Sequence, residues 1–203
     1  IKNLRIYLIM SDLENIAQNL RIYIPSYKRE LAITQKTLKL LDGIPKDKIT
    51  IVCSNLEEAE KYDKTCNGYN IDVSYTTNIA DKRNQIKTNA KEKYFMMIDD
   101  DINSIVDRDN VKVQGEYLWN MILTGFKTCD DLDLSLWGIC GYDNPFYLRN
   151  SFTHNKLLFI CSTFCGFIQD EKRPPILAKY NLLEDYYFTC KHFIRDRGVL
   201  RFN

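Results

Sequence analysis

Short apolar runs alternate with amphipathic segments through the first half of the chain. Runs rich in β-branched and aromatic residues predict strands, and apolar residues at helical spacing predict helices. The predicted strands cover residues 20–24, 49–53, 71–75 and 94–98, and the predicted helices between them cover residues 31–41, 56–62 and 79–90. Strands that alternate with helices in this way predict a parallel sheet with helices on both faces.

The pattern changes in the second half, which predicts a mixed arrangement there. The segments in order are a helix at 114–128, strands at 134–140 and 157–168, a helix at 183–195 and a strand at 199–202. No linker separates the halves, so we predict one α/β domain over residues 20–203, divided into 20–112 and 113–203. Residues 1–19 form an extension, in which Ser11-Asp-Leu-Glu14 has the form of a capping box and predicts the start of a short helix.

Composition narrows the functional classes. The 203 residues include 28 Lys and Arg against 27 Asp and Glu, and this near-neutral charge argues against a strongly basic protein that coats nucleic acid. The longest nearly apolar stretch, at 157–168, is shorter than the roughly 20 residues that a membrane-spanning helix needs. No secretory signal is visible at the start, so we expect a cytoplasmic protein without a membrane partner. The seven cysteines form no Cys-x-x-Cys pair, which favours buried reduced thiols over a zinc site.

Two polar motifs directly follow predicted strands. Pro25-Ser-Tyr-Lys-Arg29 follows the first strand, and Asp99-Asp100-Asp101 follows the strand at 94–98. Ligands of open α/β sheets bind at the carboxyl ends of parallel strands. Three carboxylates after a buried strand need a cation or hydrogen bonds to offset their charge, and Mg²⁺ or Mn²⁺ can bridge such oxygens to phosphates. We therefore predict a site for a divalent metal and a diphosphate, with a solvated acidic loop as the alternative.

Missing motifs exclude two other nucleotide-binding classes. The chain contains neither G-x-G-x-x-G nor G-x-x-x-x-G-K-[ST], which argues against a dinucleotide oxidoreductase and a P-loop NTPase. A parallel sheet with an aspartate cluster and no glycine-rich loop instead favours a metal-dependent nucleotide-sugar transferase.

An ordered set of motifs resembles the donor half of a GT-A glycosyltransferase, with its Rossmann-like sheet. These motifs are Ile24-Pro-Ser-Tyr-Lys-Arg29, Ile79-Ala-Asp-Lys-Arg-Asn84 and Ile98-Asp-Asp-Asp-Ile102. They are most similar to the TET-associated glycosyltransferases of phages and large DNA viruses, which are related to the glucosyltransferase that makes base J. Further matching segments lie at 136–138, 144–146, 159–167, 183–186 and 198–203, so the resemblance covers about residues 20–203.

The resemblance implies a UDP-sugar donor bound together with Mn²⁺ or Mg²⁺. Asp99 would contact the ribose or base and share the metal with Asp101, while Asp100 would assist or face the sugar. The remaining donor-site residues implied by the likeness are Pro25, Ser26, Tyr27, Arg29, Ala80, Arg83 and Asn84. For Arg83 the alternative is an ion pair on the helix surface, and for Asn84 it is a helix hydrogen bond.

The resemblance also implies a catalytic base at the start of the last helix. Inverting GT-A enzymes place an acidic residue there, which makes Asp185 the first candidate and Glu184 the second. The alternative is that these acids only stabilise the helix through its dipole, which is worth about 0.3–1 kcal/mol. We expect His192 to be an exposed residue of the same helix, and Trp137 and Tyr142 to be core or wall residues.

The related group suggests 5-hydroxymethylpyrimidine bases in DNA as the acceptor. A glycan or protein acceptor is the alternative, and a non-catalytic binding module on a glycosyltransferase fold is the second. Residues 172–203 contain seven Lys and Arg against three Asp and Glu, an excess that either faces phosphates or is solvated surface.

Overall fold

The computed structural model describes residues 2–141 and 152–203, which form a single eight-stranded sheet covered by helices. The strands are β1 (Leu20–Pro25), β2 (Ile49–Cys53), β3 (Asn70–Val73), β4 (Tyr94–Ile98), β5 (Leu136–Ile139), β6 (Phe152–Thr153), β7 (Phe164–Ile168) and β8 (Leu200–Phe202). Their order across the sheet is β3-β2-β1-β4-β7-β5-β8-β6. The first four strands are mutually parallel, whereas β7 runs antiparallel to both β4 and β5. A parallel half followed by a mixed half is what the sequence predicted.

The helices cover both faces of this sheet. They are α1 (Lys2–Gln18), α2 (Glu30–Gln35), α3 (Thr37–Leu40), α4 (Leu56–Thr65), α5 (Ile79–Asn89), α6 (Gly115–Asp131) and α7 (Glu184–Asp196). In β4, Met96 and Ile98 pack into the larger hydrophobic cluster, and Phe95 and Met97 pack into the cluster on the opposite face. This double burial explains why every position of β4 is apolar. It also confirms the prediction of a sheet covered on both faces.

Several observed elements differ from the predicted ones. The helix α1 begins at Lys2, so Ser11 lies inside it and the predicted capping box at its N-terminus is wrong. The S-x-x-E spacing also fits a helix interior, and the preceding residues continue the helical pattern. The predicted strand at 157–168 is limited to Phe164–Ile168, and the short strand β6 was not predicted.

The predicted helix at 31–41 is interrupted at Lys36, whose φ of −117° and ψ of −95° are not helical. The break turns Thr37 toward the loop after β4. There the Thr37 hydroxyl donates to the backbone oxygen of Asp99 at 2.7 Å and accepts from the backbone N–H of Ile102 at 3.0 Å. The interruption therefore supports the aspartate loop.

Trp137 lies in the core, as expected, and its ring fits there because two neighbouring positions are glycines without a Cβ atom. It is completely buried, and a Cβ atom built on Gly166 would lie 2.1 Å from its Nε1. A Cβ atom on Gly125 would lie 2.7 Å from the same indole ring. Tyr142 and the motif at 144–146 fall outside the described residues. The division of the chain at residues 19 and 112 stays a prediction.

Candidate active site

A cleft of about 320 Å³ opens where β1 and β4 end and α5 begins. Its walls come from the turn after β1, the start of α5 and the aspartate loop after β4. The lining residues are Pro25, Ser26, Tyr27, Arg29, Thr77, Ile79, Lys82, Arg83, Asp99, Asp100 and Asp101. Of the residues implied by the sequence as a donor site, the structure thus brings together all except Ala80 and Asn84.

Asp100 connects the aspartate loop to the turn after β1 through hydrogen bonds. Its carboxylate accepts a 2.5 Å hydrogen bond from Ser26 Oγ and a 2.8 Å bond from Arg29 Nη1. The Tyr62 hydroxyl supports the same turn, 2.6 Å from Ser26 Oγ, and accepts from the Arg29 backbone N–H at 3.0 Å. Both carboxylate oxygens of Asp100 are therefore engaged within the protein, so its contribution is to hold the two strand ends in register.

Asp101 is the most accessible carboxylate of the three, with 47% of its side chain exposed. Its Oδ2 lies 2.9 Å from the same Arg29 Nη1 that contacts Asp100. A single guanidinium therefore bridges two consecutive aspartates. Arg29 thus offsets part of the negative charge of the aspartate loop.

Arg83 joins the aspartate loop to the first turn of α7. Its Nη2 donates to Asp99 Oδ1 at 2.6 Å, and its Nη1 donates to Glu184 Oε1. Only 7% of the Arg83 side chain is exposed, so the alternative of an ion pair on the helix surface is wrong. Burial raises the pKa of Asp99 above its ordinary value, although the Arg83 guanidinium opposes this shift. Arg83 thereby connects the first turn of α7 to the aspartate loop.

Glu184 and Asp185 have different surroundings although they are neighbours. Glu184 is buried and paired with Arg83, whereas Asp185 is half-buried and accepts a local 2.9 Å hydrogen bond from the backbone N–H of Tyr186. Burial raises the pKa of Asp185, and the adjacent Glu184 charge raises it further. A carboxylate with a raised pKa is a stronger proton acceptor. Of the two acids, Asp185 is thus the one suited to removing a proton.

Lys82 supports the site and was not singled out from the sequence. It is buried, and its Nζ donates to Ser26 O at 2.5 Å, to Ser54 Oγ at 3.0 Å and to Val52 O at 3.2 Å. Burial lowers the pKa of this ammonium. Its position inside the motif at 79–84 was the only sign of Lys82 in the sequence. Its burial could not be predicted locally, because its hydrogen-bond acceptors lie far away in the chain.

Ala80 and Asn84, which the resemblance implies as donor-site residues, lie outside the cleft and contact other parts of the protein. Ala80 is buried in α5. The Asn84 side chain exchanges two hydrogen bonds with the backbone of Ala178, accepting from its N–H at 2.8 Å and donating to its oxygen at 2.9 Å. Asn84 therefore attaches the segment before α7 to α5, which is a tertiary contact and not the local helix bond considered from the sequence.

His192 is buried, so the expectation of an exposed histidine is wrong. Its Nδ1 lies 2.9 Å from Ser135 Oγ and 3.8 Å from Asp196 Oδ2. Burial lowers the pKa of His192 to about 4, with a further lowering by Arg195 and Lys87 that Asp196 opposes. The helix pattern could not reveal this, because the polar partners come from the segment before β5 and from the next turn of α7.

A larger open hollow of about 860 Å³ lies beside the C-terminal end of α7. Two of its three arginines pair with its own carboxylates, Arg173 with Asp170 at 2.7 Å and Arg195 with Asp196 at 2.7 Å. The smaller cleft at the strand ends remains the candidate site, because it lies where α/β sheets bind ligands.

Within residues 2–141 and 152–203, no three His, Cys, Asp or Glu side chains are grouped so that they could hold a metal ion by themselves. The helices of this part of the chain include none long and apolar enough to cross a membrane.

Neither a protein family nor a curated protein matches the sequence. Among solved structures, TarS 1–349 from S. aureus matches with a TM-score of 0.59 at 15% identity, over 90% of this chain and 57% of that one. A second TarS structure gives a TM-score of 0.60 at 17% identity, over 91% of this chain and 35% of that one. The chain thus spans between about a third and just over half of these TarS chains.

CMP:2-keto-3-deoxy-manno-octonic acid synthetase, complexed with CTP, matches with a TM-score of 0.51 at 7% identity, over 90% of this chain and 88% of that one. At such low identities the likeness shows the fold alone. The chain has the GT-A-like α/β fold that is found in the glycosyltransferase TarS and in a nucleotidyltransferase.

Proposed function

We propose that the protein is a glycosyltransferase that moves a sugar from a UDP-sugar to a hydroxyl acceptor. The observation that carries the proposal is the buried link from Asp99 through Arg83 to Glu184, because it connects the start of α7, where Asp185 lies, to two residues that line the cleft at the strand ends. The fold shared with TarS supports a nucleotide-sugar transferase. The finer assignment to UDP rests on the resemblance of the motifs at 24–29, 79–84 and 98–102.

The proposed reaction is a direct displacement with inversion at the sugar. Asp185 accepts the proton of the acceptor hydroxyl as its oxygen attacks C1 of the sugar. The bond between C1 and the diphosphate oxygen breaks, and UDP leaves with the bonding electron pair. Arg29, which is half-exposed in the cleft, supplies a planar cation for the developing charge on the diphosphate.

The carboxylates of the cleft are of the type that Mg²⁺ or Mn²⁺ prefers. Asp101 and Asp99 would hold the ion, and a divalent ion bound there would neutralise charge on the diphosphate. The described residues offer no set of three such ligands, so an ion held by Asp99 and Asp101 would take its remaining ligands from phosphate and water. Arg29 Nη1 already contacts Asp100 and Asp101. Such an ion must therefore bind the Asp101 carboxylate together with Arg29 or displace Arg29 from it.

The proposed acceptor is the hydroxyl of 5-hydroxymethylpyrimidine bases in DNA, for which the resemblance to the TET-associated group is the support. The test is mass spectrometry of hydroxymethylated DNA after incubation with a panel of UDP-sugars and Mn²⁺. A mass increase equal to one sugar residue, absent with unmodified DNA, is expected. UDP release with glycans or proteins but not with this DNA would favour the alternative acceptors, and no UDP release at all would favour a non-catalytic module.

The Asp185→Asn variant tests the assignment of the base. A positioned general base contributes typically ~10²–10⁴-fold, so turnover should fall by that factor while UDP affinity is retained. Glu116→Gln is the matched control, since Glu116 is an exposed acid in the first turn of α6 and its replacement removes the same kind of helix-terminal charge. Equal activity of the two variants would contradict the assignment.

A further inference from the structure

The residue that follows the proposed base, Tyr186, carries one of two stacked aromatic rings. The rings of Phe159 and Tyr186 have centroids 4.3 Å apart and an interplanar angle of 25°, and Tyr186 follows Asp185 in the first turn of α7. Tyr186 remains 50% exposed although one ring is stacked on it. A half-exposed ring that is already fixed in a stack offers an open aromatic surface at little cost in conformational entropy.

The segment that carries Phe159 is held firmly against α7. The hydroxyl of Thr189, one turn after Tyr186, lies 3.3 Å from both the backbone N–H and the backbone oxygen of Ile160. Thr189 and Ile160 are both buried. The ring pair is therefore anchored from both of its chain segments and forms a pre-organised surface.

The chain segments that carry the two rings contain exposed lysines. Lys156, Lys179 and Lys191 are exposed, and Lys191 Nζ lies 5.6 Å from the ring centroid of Tyr187. Two of the three acids at 172–203 are engaged in salt bridges, Glu184 with Arg83 and Asp196 with Arg195. Residues 172–203, which include Tyr186, thus carry an excess of positive charge, and such an excess complements a phosphate backbone.

We propose that the Phe159–Tyr186 pair is the platform on which the acceptor base stacks, so that the acceptor is a nucleobase of single-stranded or flipped-out nucleic acid. This inference rests on the proposed function, since it assigns a place to the acceptor of that reaction. Aromatic rings flanked by cations are the common means of binding unpaired bases. A neutral glycan would gain nothing from the lysines. A base inside a duplex cannot reach such a ring without leaving its stack.

The test measures binding of a fluorescein-labelled single-stranded oligonucleotide containing 5-hydroxymethylcytosine by fluorescence anisotropy. Base–aromatic stacking contributes enough that Tyr186→Leu should weaken binding by about 5- to 150-fold, whereas Tyr186→Phe should bind like the parent. Tyr117→Leu is the matched control, because Tyr117 is also a helix residue and is 49% exposed. We expect its oligonucleotide affinity to be unchanged.

Parallel calorimetry with UDP and Mn²⁺ separates the two proposals. If Tyr186→Leu keeps both parental UDP affinity and parental oligonucleotide affinity, the platform is wrong while the donor assignment stands. If the parent binds no UDP but Tyr186→Leu still loses oligonucleotide affinity, the proposed function fails and base stacking stands. The protein could instead bind maltopentaose or phosphatidylglycerol vesicles in the absence of oligonucleotide. If that binding is lost in Tyr186→Leu, the assignment of a nucleobase is overturned.

Discussion

Arg83 offers the sharpest test of how the two halves of the site are joined. The Arg83→Gln variant removes a cation that lies between Asp99 and Glu184, two carboxylates whose side chains are 27% and 11% exposed. Removing one partner of a buried ion pair costs about 3–5 kcal/mol, because an uncompensated charge is left behind. Partial exposure of Asp99 lets water offset some of this cost, so we expect a loss of about 3 kcal/mol in the free energy of unfolding.

The loss is measurable by thermal unfolding followed by circular dichroism at pH 7. For a domain of this length, 1 kcal/mol shifts the Tm by roughly 2–4 °C, so the Tm should fall by about 6–12 °C. Lys61→Gln is the control, since Lys61 forms an exposed pair with Glu57 at 2.7 Å, and solvent-exposed pairs contribute little to stability.

The pH dependence of the same variant provides a second readout. Burial already raises the pKa of Asp99, and loss of the guanidinium raises it further. A carboxyl group whose pKa is higher in the folded state than in the unfolded state destabilises the fold above that pKa, and protonation relieves the penalty. The Tm difference between parent and variant should therefore shrink as the pH falls from 7 to 5. If Arg83→Gln melts no lower than Lys61→Gln, the claim that Arg83 joins β4 to α7 is refuted.

Three further predictions concern the metal and the buried histidine. Asp101→Asn should lose the gain in UDP affinity that Mn²⁺ provides; calorimetry with and without Mn²⁺ checks this, and an equal gain in both proteins would contradict it. Arg29→Gln should strengthen Mn²⁺ binding without nucleotide, because it frees Asp101 from a cation 2.9 Å away. Electron paramagnetic resonance of free Mn²⁺ measures this against a Lys28→Gln control, and unchanged or weaker binding would rule it out. The free energy of unfolding should fall by roughly 3 kcal/mol between pH 6.5 and pH 4, because the unfolded chain binds a proton that folded His192, with its pKa of about 4, does not. Urea titrations of the parent and of His192→Gln test this, and an identical slope in both would count against it.

Much of the fold followed from local pattern. The strand at 94–98 was predicted with its observed bounds, since a strand buried on both faces is apolar at every position. The parallel first half and the mixed second half were also correct. The cleft residues at 25–29 and 99–101 could be grouped from sequence, because the carboxyl ends of neighbouring parallel strands meet at one edge of a sheet.

The sequence by itself determined the elements and the edge of the sheet where polar motifs meet, because both follow from the periodicity and order of nearby residues. Only the tertiary structure decided which charges pair there. Arg83 and Glu184 are 101 positions apart, and no local pattern selects one among many arginines and acids. The same holds for buried His192, whose hydroxyl partner Ser135 comes from the segment before β5, and for Phe159 stacked on Tyr186. These contacts depend on how β7 inserts between β4 and β5 and on how α7 packs across them, and helix periodicity carries no information about that placement.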